Sequence, residues 1–284
     1  MKNILLPTDF SKNAFNAIEY AVQLFENEDC TFHLLNTFTA GAYSMASFAD
    51  GHSSLMLEEI TRKNSESELL EIEKRLKTKF ENPRHTFKKS AAFNLLTDEI
   101  IAVVKKRDID LIVMGTKGAT GAREVFLGTN TMFAIKKAKC PIIAVPEEFS
   151  FIQPKGVLFP TDLKFSIKNE NLNLLKSICI NHQSHLTILN VDYGESLSTE
   201  QEKLKNDFAK FLENINHNFH TAEDADLVEA VEQFQREQEI NFLVMIQNKH
   251  SFFENLLFKP VIKQMVYHTN LPFMVIPSVE LINS

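Results

Sequence analysis

DLIVMGTKGATGAREVFLGTNTMFAIKKAKCPIIAV, residues 110–145, decides how the rest of the chain is read. Four of the chain's eight glycines lie in it, at Gly115, Gly118, Gly121 and Gly128. The apolar run Leu111–Met114 leads into the first glycine, a helical pattern follows the last, and Ile142–Val145 is a second apolar run. That succession predicts strand, glycine-rich loop, helix, strand. Glycines let backbone N–H groups approach an anion with no side chain in the way. Thr129 and Asn130 stand where a helix N-cap belongs, so a phosphate would meet the start of the next helix. There is no Gly-Lys-Ser/Thr of a P-loop and no G-x-G-x-x-G of a dinucleotide fold.

Working outward, the first half alternates strand and helix. Lys2–Leu6 is a short apolar strand ended by Pro7-Thr8-Asp9. Ser11 opens a helix whose Ala14, Ala17, Ile18, Ala21, Leu24 and Phe25 share one face. Thr31–Phe38 is a second strand, and residues 40–54 read as a loop, a candidate lid. A long helix carries Leu69, Ile72, Leu76 and Phe80, Arg84–Ser90 reads as a third strand, and Leu96, Ile100, Val103 and Val104 mark a further helix. Five strands joined by helices imply a parallel sheet covered on both faces.

The order then repeats. Lys155–Pro160 ends in Pro160-Thr161-Asp162, as Lys2–Leu6 ends in Pro7-Thr8-Asp9. His185–Val191 is the second strand of this copy. Helical stripes follow at Leu204, Phe208, Phe211, Leu212 and Ile215 and at Leu227, Val231 and Phe234, and Phe242–Ile246 repeats Leu111–Gly115. Met114 and Met245, Pro141 and Pro272, and Pro146 and Pro277 keep one register. A repeat of this length is a duplicated domain. The predicted fold is α/β, with two tandem doubly wound domains, each a five-stranded parallel sheet in the order 3-2-1-4-5 with helices on both faces. The domains are residues 1–150 and 151–284, divided within Glu147–Pro154.

Composition narrows the function classes. A net charge of −7 and no Lys/Arg block argue against nucleic acid as a partner. The three cysteines, Cys30, Cys140 and Cys179, are far apart and form neither a disulfide framework nor a zinc motif. No apolar run approaches the length of about 18 residues that marks a membrane span. The chain is therefore expected to be cytoplasmic, with no membrane and no metal site. The histidines are scattered, and His217 and His220 read as loop residues.

In an open parallel sheet, ligands bind beyond the carboxyl ends of the strands where strand order reverses. The order 3-2-1-4-5 puts strands 1 and 4 side by side there, so Pro7-Thr8-Asp9 and the Gly115 loop converge on one crevice. Asp9 has two readings, a ligand contact or a cap on the helix after Ser11. Lys117 and Arg123 read as exposed loop residues.

The spacing Gly115, Gly118, Gly128-Thr129 resembles the ATP-binding signature of the universal stress protein family, G-x2-G-x9-G-S/T. Pro7-Thr8-Asp9-Phe10-Ser11, Met114-Gly115, Gly128-Thr129-Asn130-Thr131 and Pro141-Ile142 extend the resemblance, and both halves look like domains of that family. The resemblance implies that Asp9, beside Pro7 and Thr8, lies near adenosine and that the backbone of Thr37 meets adenine. It implies that Gly115, Gly118, Gly128 and Thr129, flanked by Met114, hold ribose and phosphates. Asn130 and Thr131 would add donors at the helix start. It further implies ATP, with Mg²⁺, or AMP or ADP as ligand, and pairing of the two halves through Ile142–Pro146 and Phe273–Pro277 in place of a dimer, with further homodimerisation of chains left open.

The second copy departs from this pattern. Ile246, Lys249 and Lys259 replace Gly115, Gly118 and Gly128, Phe252 replaces Gly121, and Pro260 follows Lys259, removing an N–H donor at the helix start. The second copy is expected not to bind ATP in this way. The leading expectation is a nucleotide-binding regulatory protein working through its first domain. The alternatives are a binder of an apolar small molecule through Phe252, Phe253, Leu256, Leu257 and Phe258, or a slow ATPase. Machinery for phosphoryl transfer is thin, since no residue is placed to orient a water. The loops of adenylating enzymes are absent.

Overall fold

The computed structural model describes residues 1–39, 51–116, 128–192, 196–223, 227–247 and 270–279. It divides into two compact units, Met1–Phe151 and Ile152–Ser284.

The first unit runs β1 (Lys2–Pro7), α1 (Lys12–Leu24), β2 (Cys30–Phe38), α2 (Gly51–Phe80), β3 (His85–Phe93), α3 (Leu96–Lys106), β4 (Leu111–Gly115), α4 (Thr129–Lys137), β5 (Ile142–Val145). Every pairing is parallel, in the order β3-β2-β1-β4-β5. The apolar strands β4 and β5 are buried along their whole length, as a sheet covered on both faces requires. Alternate residues of β2 show the two faces. Asn36 accepts a hydrogen bond from Ser65 on α2, whereas His33 faces Arg107 at the end of α3.

The second unit repeats the plan with β6 (Gly156–Pro160), α5 (Leu172–His182), β7 (His185–Asp192), α6 (Thr199–Phe211), β8 (Asn216–Glu223), α7 (Leu227–Glu237), β9 (Phe242–Gln247) and β10 (Phe273–Pro277). The order is β8-β7-β6-β9-β10, again parallel throughout. Phe159 on β6 and Phe165 pack edge-on against Phe208 of α6, and Lys205 of α6 sits over Phe219 of β8. The next residue, His220, meets Phe234 of α7 on the opposite face. Both units are thus doubly wound sheets in the order 3-2-1-4-5.

Several elements differ from their sequence reading. His217 and His220 lie in strand β8, not in loops. With Phe219 and Ala222 as its only apolar side chains, β8 lacks the alternation that marks a strand, and it is held by parallel pairing to β7 along its whole length. Leu212 caps α6 and Ile215 falls beyond it. Helix α2 begins at Gly51, inside the stretch read as loop 40–54; residues 40–50 lie outside the described residues. The shortening of the second copy falls mainly on this helix, which has 30 residues in α2 and 13 in α6. The start of the first crossover helix also differs. Helix α1 follows its N-cap Ser11 directly, whereas α5 begins only at Leu172, well after Asp162.

Candidate functional site

Strand β1 pairs with β4 through Ile4 opposite Leu111 and Leu5 opposite Ile112. The same register carries Pro7 alongside Met114, so the two motifs meet at the carboxyl ends of adjacent strands. Helix α4 starts at the same end of the sheet, and Thr37 lies near the end of β2, opposite Ala92. Of the candidate residues, Pro7, Thr8, Asp9, Thr37, Met114, Gly115, Gly128, Thr129, Asn130 and Thr131 therefore stand around the ends of β1, β2 and β4 and the start of α4. Gly118 lies outside the described residues, as do Lys117, Gly121 and Arg123 and, in the second copy, Lys249, Lys259, Pro260 and 252–258.

The turn after β1 is built by its own side chains. Thr8 Oγ1 accepts the Phe10 N–H at 3.0 Å, and Asp9 Oδ1 accepts the Ser11 N–H at 3.0 Å. Between these bonds Phe10 is held at φ 65°, a left-handed conformation that costs a non-glycine residue about 1 kcal/mol or more. Ser11 then caps α1 by accepting from the Ala14 N–H. The N-cap of α1 is therefore Ser11, and Asp9 braces the turn before it. A carboxylate oxygen carries more than one acceptor site, so a ligand hydroxyl can still donate to this exposed side chain. Beneath the turn, Asn36 donates to the Thr8 carbonyl at 2.7 Å and accepts from Ser65 at 2.8 Å, a buried polar chain.

The glycine end is shaped by close packing. A Cβ added at Gly115 would lie 2.6 Å from the Asn13 side-chain nitrogen, a distance real atoms do not reach. A side chain at Gly115 would therefore have to displace the buried Asn13 side chain of α1. In the second unit Ile246 fills the position of Gly115 and is buried, while Ser166, the counterpart of Asn13, is exposed. The delayed start of α5 removes the side chain that would otherwise collide.

The N-cap of α4 is Gly128, one residue before the expected Thr129–Asn130. Glycine at that position carries no capping oxygen, and no side chain among the described residues caps this helix. The amides of Thr129, Asn130 and Thr131 have no carbonyl within the helix to bond. The Gly128 N–H, by contrast, donates to the Thr116 carbonyl, so it is not one of the donors offered to a ligand. Thr131 Oγ1 donates to the Gly115 carbonyl at 2.7 Å in buried surroundings. Exposed Thr129 and Asn130 thus present backbone donors with the positive end of the helix dipole behind them.

Asn13, Asn16 and Asn36 were not singled out from the sequence. Two of the three carry a signal there: Asn16 recurs as Asn169 and Asn36 as Asn190 in the duplicated copy. Asn16 Nδ2 donates to the Pro146 and Phe149 carbonyls, and Asn169 Nδ2 donates to Pro277, the counterpart of Pro146. Asn13 has no such signal, because its counterpart is Ser166.

The second unit has its own cleft of about 450 Å³. It lies between the turn after β6, at Leu163–Ser166, the start of α6, and Ser278–Val279 beyond β10. Gln201 at its rim is already committed, donating to the Asp162 carbonyl and forming the capping box of α6 with Ser198. Among the described residues, no helix is long and apolar enough to cross a membrane, and no group of His, Cys, Asp and Glu is placed to hold a metal ion.

Comparison with known proteins agrees with this architecture. The chain is 28% identical to Universal stress protein MJ0531 of Methanocaldococcus jannaschii over 144 residues, 51% of this chain and 81% of that protein. It is 26% identical to Universal stress protein MJ0577 of the same organism over 159 residues, 52% of this chain and 97% of the relative. A crystal structure of a universal stress protein from Archaeoglobus fulgidus shares the fold, with a TM-score of 0.64 at 16% identity, covering 97% of this chain and 96% of that one. The model of the universal stress protein family matches residues 1–146, and the chain belongs to that family.

Proposed function

We propose that the protein is a nucleotide-binding regulator that holds ATP at the carboxyl end of its first repeat. The observation that carries the reading is the start of α4, with a glycine N-cap and no side-chain capping bond, beside the end of β4 at Gly115. Phosphates would accept from the Thr129 and Asn130 amides, the ribose hydroxyls would donate to Asp9, and the backbone near Thr37 would meet adenine. Mg²⁺ bound with ATP would neutralise phosphate charge. ADP and AMP present subsets of the same groups. Family membership and the glycine spacing support the same reading.

The second repeat is proposed not to take nucleotide in this mode. Ile246 puts a side chain at the strand end, and Pro260 removes an amide donor. It serves packing or another ligand. Intramolecular pairing of the repeats would take the place of subunit pairing, so sedimentation should give a monomer at increasing concentration.

Thr129→Pro tests the site directly, because it copies Pro260. Proline is tolerated in the first turn of a helix, so the fold should survive while one phosphate donor is lost. ATP should raise the melting temperature of the wild-type chain and raise it far less in the variant. An equal shift in both would refute the assignment.

A further inference from the structure

The chain leaves β4 at Gly115 and re-enters described structure at Gly128, and two hydrogen bonds join those ends. The Gly128 N–H donates to the Thr116 carbonyl. Thr131 Oγ1 donates to the Gly115 carbonyl at 2.7 Å, with Thr131 only 2% exposed. Thr131 is the third residue of α4, and helical side chains lean back toward the N-terminus. Its hydroxyl therefore lies beneath the same turn whose amides face the crevice. A hydroxyl has one proton, and this one is spent on Gly115.

We infer that Thr131 is a positioning residue for the nucleotide, a clamp between the end of β4 and the first turn of α4. Its hydroxyl sets the separation between Gly115 and the amides of Thr129 and Asn130, and its side chain donates nothing to phosphate. The inference rests on the nucleotide reading of the first repeat. It also adds a reason for the difference between the repeats. In the register that matches Met114 with Met245, the counterpart of Thr131 is Ile262, which has no hydroxyl to donate. Losing the clamp residue and losing the bare glycine are two separate changes to the same site.

Thr131→Val removes the hydroxyl with little change of shape, and Thr131→Ser keeps it. Both are made in the full chain, with Phe208→Leu in the second unit as a control for destabilisation alone. ATP affinity is measured by calorimetry well below each melting temperature. Amide exchange over residues 128–132 is followed without nucleotide. Loss of one buried hydrogen bond predicts affinity at least about tenfold weaker in Thr131→Val. Thr131→Ser should keep wild-type affinity, and exchange should accelerate in the valine variant alone. A purely structural threonine would give a lower melting temperature, like the control, with affinity unchanged, and that result overturns the clamp. A wild-type chain that binds no ATP would instead sink the nucleotide reading and with it this role. The exchange data tell the two failures apart, since they report the clamp without ligand.

Discussion

The two repeats build the turn after their first strand in the same way and the end of their fourth strand in different ways. In the first, Thr8 accepts from Phe10, Asp9 accepts from Ser11, and the Thr8 N–H reaches the Leu35 carbonyl. In the second, Thr161 accepts from Leu163, Asp162 accepts from Lys164, and the Thr161 N–H reaches Leu189. Even the left-handed backbone recurs, at φ 65° for Phe10 and 53° for Leu163. A feature kept where the glycines are gone is a feature of the fold. The Pro-Thr-Asp motif is thus a structural device that a ligand can exploit, and the distinction between the repeats rests on Gly115 and the helix start after it.

The largest expected effect comes from importing the second repeat's residue into the first. Gly115→Ile drives a side chain into Asn13, which should cost about 1–3 kcal/mol as overpacking and abolish nucleotide binding. Gly115→Ile combined with Asn13→Ser copies both second-repeat residues. It should recover much of the stability in chemical denaturation and none of the binding in calorimetry. Recovered binding would mean that Asn13, and not the strand end, shapes the site.

The paired asparagines come next. Asn169→Ala leaves the Pro277 carbonyl without its partner in buried surroundings and should cost about 1–3 kcal/mol. Asn16→Ala should destabilise in the same direction through Pro146 and Phe149. Denaturant midpoints read both, and neither variant should alter nucleotide affinity.

Asp9→Ala and Asp162→Ala each remove the same turn bond, so each should lower stability by about 0.5–1.5 kcal/mol, the net worth of one hydrogen bond. Only Asp9→Ala should also weaken ATP binding. Equal loss of stability with unchanged affinity in both would reduce Asp9 to bracing the turn.

The smallest effect separates the repeats by pH. His33 in β2 is buried, and burial, followed by the charges of Arg107 and Lys88, lowers its pKa from 6.5 to about 4. Arg107 can only donate, so Nδ1 accepts from it at 3.0 Å, and Nε2–H donates to Asn3 Oδ1 at 3.2 Å. The folded chain holds this ring neutral, whereas the unfolded chain protonates it below pH 6.5. Its stabilising contribution is whole above that value and is lost as pH falls toward 4. The counterpart in β7 is Thr187, which does not titrate. His33→Gln should flatten the decline of the denaturation midpoint between pH 7 and 5. An unchanged decline would place the acid sensitivity elsewhere.

Much of this comparison is legible in the amino-acid order, because duplication prints several structural residues twice, Pro7-Thr8-Asp9, Asn16 and Asn36 among them. The buried strands β1, β4, β5 and β9 declare themselves as apolar runs, and strand order follows from the handedness of the crossovers. Strand β8 is not legible, since Asn216–Glu223 offers little apolar signal and depends on β7 for its pairing. The N-cap of α4 also escapes, because Thr129 and Asn130 have better capping side chains than Gly128, yet the chain enters the helix one residue earlier. Asn13 is invisible because its importance is the short distance from α1 to Gly115 at the end of β4, a quantity no local pattern records.

The central claim is an asymmetry, and binding stoichiometry measures it. Calorimetric titration of the intact chain with ATP should give one nucleotide per chain, falling to none in Gly115→Ile. Two nucleotides per chain, or one that survives that substitution, would contradict it.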